Sequence, residues 1–299
     1  MFFHNKKLQY QVRVDKPSPQ FAKLLQQAIG GNEGEIRVML QYLFQAWNQR
    51  GPEKYRDMLL DTGTEEIAHI EMLATAVALN LEGASVDLKE DIAKSNSLVG
   101  AVMGGMDPRH ILSAGLGAMA ADANGVPFNG SWVIGTGNLA ADMTANVMAE
   151  STGRLLATRL YEMTDDPGMK DMLSFLIARD TMHQNQWLAV LEELGHGTIG
   201  GAFPIPNSFP QAQENQEVNY TFFVTNIDEN SPSKAQGRWT QGTSIDNKGQ
   251  FRGQPAQAFG PEPKLGPPEP LTHAQVEEMQ NPANASPDSL IDKVKGALS

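Results

Sequence analysis

Apolar positions recur near a helical period along the first two-thirds of the chain. Phe21, Leu24, Leu25, Ile29, Ile36, Met39, Leu40, Leu43 and Trp47 share one face of a helix expected over 17–48. Gly30, Gly31 and Gly34 interrupt that stretch, weakening the helix while allowing a bend or close packing. Gly51-Pro52 ends it, and 53–79 repeats the pattern. Residues 82–135, rich in Gly, Ala and Asn, read as a long crossover with a short helix near 109–119. Gly137-Asn138 opens a third long helix reaching about Met163, and Asp165-Asp166-Pro167 breaks it and starts a fourth that ends at Gly195. Two helical hairpins joined by one long crossover are therefore expected.

The pattern changes near residue 200. Twelve of the 18 prolines fall between Pro204 and Pro287, and residues 260–270 read as a polyproline-like stretch. Residues 218–225 could form a strand, and 286–298 a short helix with Ser286 as N-cap. The expected fold class is all-α. A ferritin-like four-helix bundle occupies 1–200, and an extended Pro/Gly-rich tail with little regular structure occupies 201–299. A tail of this composition buries little alone, so it is expected to wrap the bundle or neighbouring subunits.

Composition narrows the chemistry. The 299 residues carry a formal net charge of −12, which repels phosphate backbones and argues against nucleic acid. No apolar run is long enough to span a bilayer, and residues 1–7 lack the apolar core of a signal peptide, so cytoplasm is the default compartment. The absence of cysteine removes disulfides, thiolate-ligated metals and thiol catalysis. Any redox chemistry must then use a cofactor held by oxygen and nitrogen.

Such ligands occur in a duplicated pattern. Glu35 lies on the first helix, Glu66 and His69 on the second, Glu150 on the third, and Asp180 and His183 on the fourth. Glu150 follows Glu35 by 115 residues, while Asp180 and His183 follow Glu66 and His69 by 114. Leu59, Leu73 and Val77 are matched in the same way by Leu173, Trp187 and Leu191. Residues three apart share a helix face, so each carboxylate–histidine pair points one way. This is the ligand pattern of di-iron and di-manganese carboxylate bundles. Carboxylates bridge and neutralise two cations, and a neutral imidazole completes each one. His4, His110, His196 and His273 stand outside the pattern, and Met143, Met148 and Met182 are expected in the core rather than as ligands.

The chain resembles the non-haem manganese catalases. The resemblance rests on the N-terminal segment 1–9, on 31–45, on Thr64-Glu-Glu-Ile-Ala-His-Ile-Glu-Met-Leu73 and on 237–249 in the tail. It implies disproportionation of hydrogen peroxide to water and oxygen at two manganese ions per subunit, cycling between Mn(II)2 and Mn(III)2. It implies that Glu35 and His69 serve one ion, Glu150 and His183 the other, and that Glu66 bridges them. Tyr42 would hydrogen-bond the terminal glutamate two turns before it. Asp180 stands where the family usually has Glu, and would act as an outer-sphere proton shuttle. Asp57 and Asp61 would bind calcium together with oxygen donors from another subunit's tail, for which Asn219 and Thr221 are candidates. A homohexamer and a role in oxidative stress follow from the same resemblance. Two other readings stay open on the residues alone. One is a ferritin-like di-iron oxidase or ferroxidase, with Asp180 as a ligand. The other is a structural, spore-coat-like assembly protein, which the intact ligand set disfavours.

Overall fold

The computed structural model describes residues 4, 6–82, 108–196, 210–224 and 235–256. The expected polyproline-like stretch at 260–270, the helix at 286–298 and His273 lie outside the described residues. Six helices are described: α1 (Pro19–Gly30), α2 (Glu35–Asn48), α3 (Glu53–Glu82), α4 (Pro108–Leu112), α5 (Leu139–Glu162) and α6 (Pro167–His196). The long helices form the hairpins α2/α3 and α5/α6 of the expected bundle.

Local chemistry sets the helix ends. Ser18 accepts from the Phe21 N–H at 3.2 Å with Pro19 in the first turn, and Asn138 accepts from the Ala141 N–H at 3.1 Å. Asp166 caps α6 through Met169 N–H at 2.9 Å. Its other oxygen accepts from the Asp15 and Lys16 N–H groups, both at 2.8 Å, and so ties the N-terminal arm to the bundle.

The single first helix expected over 17–48 is two helices. The chain breaks between Gly30 and Glu35, because the crossover packs against the end of α1. A Cβ on Gly30 would fall 2.5 Å from the Ala121 backbone. Gln26 clamps that crossing by donating to the Met119 and Ala121 carbonyls, both at 2.7 Å. The break makes Glu35 the first residue of α2. The short crossover helix ends at Leu112, earlier than its pattern suggests.

Two apolar clusters fill the bundle. One gathers Leu25, Leu73, Val77, Leu173 and Leu176; the other gathers Tyr42, Leu59, Met143, Trp187 and Leu191. Met143 is buried as expected, but Met148 and Met182 are each 48% exposed and Trp47 is 54% exposed, packed edge-on against Phe44. Their apolar chemistry suggested the core, but each lies on the face of its helix turned away from the buried stripe. In the described part of the tail the chain forms more structure than expected. Strands β1 (Thr221–Val224), β2 (Gln241–Thr243) and β3 (Gln250–Pro255) make a sheet of order β1-β3-β2, with β1 parallel and β2 antiparallel to β3.

Candidate metal centre

Each long helix carries one carboxylate to the level between the two apolar clusters: Glu35, Glu66, Glu150 and Asp180. Histidines reach the same level from α3 and α6. His69 Nδ1 lies 2.6 Å from Glu66 Oε2 and 3.9 Å from Glu35 Oε2. His183 Nδ1 lies 2.9 Å from Glu66 Oε1 and 3.6 Å from Glu150 Oε1. The donor atoms thus fall into two triads, Glu35–Glu66–His69 and Glu66–Glu150–His183, each within 4.8 Å. Glu66 belongs to both and offers one oxygen to each. The two imidazoles lie 5.8 Å apart at an interplanar angle of 26°.

These residues fit a pair of cations. Both Glu66 oxygens and the Nδ1 atoms of His69 and His183 are buried without a hydrogen-bond partner. Buried lone pairs without donors are costly, and cations between them would remove that cost. Oxygen from carboxylates and nitrogen from imidazole suit manganese or iron.

The electrostatics point the same way. Burial, then the Glu66 charge, raises the Glu35 carboxyl to about 7. Burial and repulsion from Glu66 likewise push Glu150 up, against hydrogen bonding from His183 and Tyr42. Burial raises Glu66 too, but His69 and His183 outweigh it and hold it at about 2. The surrounding carboxylates overcome burial at both histidines, raising His69 well above its ordinary range and His183 to about 12. Without metal the cluster therefore retains protons as its cations, and metal uptake must displace them.

Asp180 lies outside both triads. It is buried, and lines a cleft with Glu33, Glu35, Glu150, Gly153 and Ala157. Burial, followed by the charges of Glu35, Glu150 and Glu66, raises its carboxyl well above the usual carboxylate range.

Tyr42 corrects an expectation. Its hydroxyl donates to Glu150 Oε1 on α5 rather than to Glu35 on its own helix. Burial, then the Glu150 charge, raises the phenol well above its ordinary value, so it remains a donor. Trp187 Nε1 also reaches Glu150 Oε1, at 3.5 Å. One turn before Glu150, Asn146 holds α5 in register with α2 by hydrogen bonds of 2.7–2.9 Å with Gln41 and Gln45. A helix wheel shows neighbours within one helix, whereas this contact depends on how two helices register.

Sequence reasoning missed Glu65. Its Oε2 accepts from His183 Nε2 at 3.1 Å, and its Oε1 lies 3.7 Å from His69 Nε2. Arg179 donates to both oxygens, at 2.7 and 3.2 Å, and Gln9 of the N-terminal arm donates at 2.8 Å. Burial pushes the Glu65 carboxyl up, but the His183 bond, the nearby His69 ring and the Arg179 bonds prevail and keep it far below the usual range. The four-residue spacing of Glu65 and His69 was the available signal, masked by the adjacent Glu66.

Asp57 and Asp61 are both exposed on α3, and Asp57 pairs with Arg56 at 2.9 Å. In the tail, Asn219 and Thr221 bond locally, to Glu214 and Gln216 and to the Glu217 carbonyl. Among the histidines outside the centre, His4 bonds Glu71 at 2.9 Å, and His110 is buried in α4 with Nδ1 2.9 Å from the Gly117 carbonyl.

Known proteins are similar to this chain over most of its length. The family described as manganese containing catalase matches residues 1–288. The chain is 50% identical over 281 residues to YjqC of Bacillus subtilis, covering 93% of this chain and 99% of that protein. It is 47% identical over 275 residues to a manganese catalase of the same organism, covering 91% and 97%. The crystal structure of KatB, a manganese catalase from Anabaena, superposes with a TM-score of 0.64 at 25% identity, covering 85% of this chain and 99% of that one.

Proposed function

The chain belongs to the manganese-containing catalase family, and from that membership we propose how its own residues carry out the family's reaction. The protein is an oxidoreductase acting on hydrogen peroxide, which it disproportionates to water and oxygen. When bound, a manganese pair would supply the two-electron exchange, alternating between Mn(II)2 and Mn(III)2. Glu35 and His69 would hold one ion, Glu150 and His183 the other, and Glu66 both. The carrying observation is the pair of triads that share Glu66.

Peroxide disproportionation also moves protons, and Asp180 is proposed to hold and return them as general acid and base. Its place beside the cleft, outside both triads, and its raised affinity for a proton support that role. The same position speaks against the di-iron oxidase arrangement, in which Asp180 would be a ligand. Tyr42 would orient Glu150 by donating to it.

Further parts of the assignment are proposals with their own tests. Calcium at Asp57 and Asp61 would need donors from another subunit, and calcium titration of the assembled protein tests it. A hexamer, with the tail reaching neighbouring subunits, accords with the exposed Phe44 and Trp47, and light scattering tests it. No helix among the described residues is long and apolar enough to cross a membrane, and cytoplasm is the proposed compartment, to be checked by fractionation.

The direct test of function is oxygen release from hydrogen peroxide by haem-free protein loaded with manganese or with iron. Rapid release with manganese alone, near two ions per chain, is expected. Manganese held without oxygen release would overturn the assignment.

A further inference from the structure

The repeat that relates the two hairpins is broken at a pair of positions beside the two histidines. Arg179 follows Glu65 by the same 114 residues that separate His69 from His183. A symmetric site would place one carboxylate behind each imidazole. Here one half supplies a glutamate and the other an arginine, and the two bind each other through both carboxylate oxygens, at 2.7 and 3.2 Å. One carboxylate is left for two rings. Its Oε2 accepts from His183 Nε2 at 3.1 Å, while its Oε1 lies 3.7 Å from His69 Nε2, too far for a hydrogen bond, and that nitrogen is buried without a partner.

We propose that Glu65 is the positioning residue for both histidines, setting the ring tautomer in the two half-sites at once. A carboxylate only accepts hydrogen bonds, so it favours keeping a ring's proton on Nε2 when Nδ1 gives up its own to a metal. Both Nδ1 atoms face the shared Glu66, at 2.6 and 2.9 Å, on the side where the cations would sit. This is the tautomer a metal ligand requires. Arg179 neutralises Glu65, so the orienting group adds no net charge to a centre already crowded with carboxylates. Gln9 donates to the same oxygen that faces His69, and so makes the N-terminal arm part of the support. The inference rests on the metal reading of the two triads.

The test is Glu65→Gln, with manganese counted per chain after gel filtration and the Mn(II) electron paramagnetic resonance recorded. A glutamine has one accepting oxygen and one donating amide nitrogen. One histidine keeps its acceptor. The other meets a donor, moves its proton to Nδ1 and leaves the ligand set. The variant should retain one manganese instead of two, with the second site weakened about 10–100-fold. Its spectrum should change from an exchange-coupled pair to an isolated ion. Glu65→Gln with two ions and a wild-type spectrum would overturn the proposal. Nitrogen-15 magnetic resonance of zinc-loaded wild-type chain gives a check that needs no variant. Protonated Nε2 in both rings is expected, and a proton on either Nδ1 would overturn the assignment. A wild-type chain that takes up no manganese would instead remove the metal reading itself.

Discussion

Tyr42 and Glu150 belong to different helices, yet the Tyr42 hydroxyl donates to Glu150 Oε1 inside a cluster that excludes water. The bond ties α2 to the ligand set of α5 and restricts which oxygen Glu150 can offer. Replacing Tyr42 by Phe keeps the ring and removes the donor. Activity or manganese affinity should fall about 10–100-fold with the fold retained. Metal content and oxygen release, measured beside circular dichroism, check this.

Asp180 separates two roles by one substitution. Asp180→Asn keeps the shape and removes the titrating group. As a proton carrier it should cost about 10²–10⁴-fold in turnover while manganese per chain stays unchanged. Loss of metal together with activity would make it a ligand instead. The paired measurement is metal content and kcat on the same sample.

Asp166 links helix capping to the N-terminal arm. Burial raises its carboxyl, but backbone bonds from Met169, Lys16, Asp15 and Gly168 outweigh this and lower it. Its contribution is therefore fully present above the unfolded value, about 3.9, and is lost as pH falls through the lower folded value. Asp166→Ala should cost about 1–3 kcal/mol near neutrality. The difference from wild type should shrink in acid, as urea titrations at several pH values would show. Proteolysis of the arm should quicken in the variant.

Gly30 ends α1 where the crossover passes over it. Gly30→Ala places a methyl 2.5 Å from the Ala121 backbone, which has no flexible end to move aside. A loss of about 1–3 kcal/mol is expected, read from thermal unfolding. Gly153→Ala, where the nearest atom would be 3.5 Å away, serves as the tolerant comparison.

The centre was legible in the sequence to the extent that it depends on spacing within one helix. Glu66 and His69 share a face because they are three apart, and the repeat at Asp180 and His183 made chance a poor explanation. What depends on packing between helices was not legible. The target of Tyr42 required the α2–α5 register fixed by Gln41, Gln45 and Asn146. Glu65 required knowing that α3 and α6 present their histidines to the same carboxylate. The break after Gly30 was visible as glycines, but whether they bend a helix or end it depended on Ala121 crossing there. Met148 and Met182 have core chemistry but lie on the helix faces away from the buried stripes, so residue type misled where position on the wheel did not.

The cleft beside Asp180 also has a place in the repeat. Counting 115 residues on from Val38 and Tyr42 reaches Gly153 and Ala157, and both line the cleft. The corresponding positions of the first hairpin hold a branched side chain, which lines the same cleft, and a phenol, which bonds Glu150 from outside it. Two hairpins of common pattern thus enclose a centre with a front and a back. Glu35, Glu150 and Asp180 border the cleft, where the second hairpin contributes a hydrogen and a methyl at these two positions. A small molecule lodged in that cleft would meet these three carboxyls and neither imidazole, so the near-symmetry of the ligands is not shared by the space beside them.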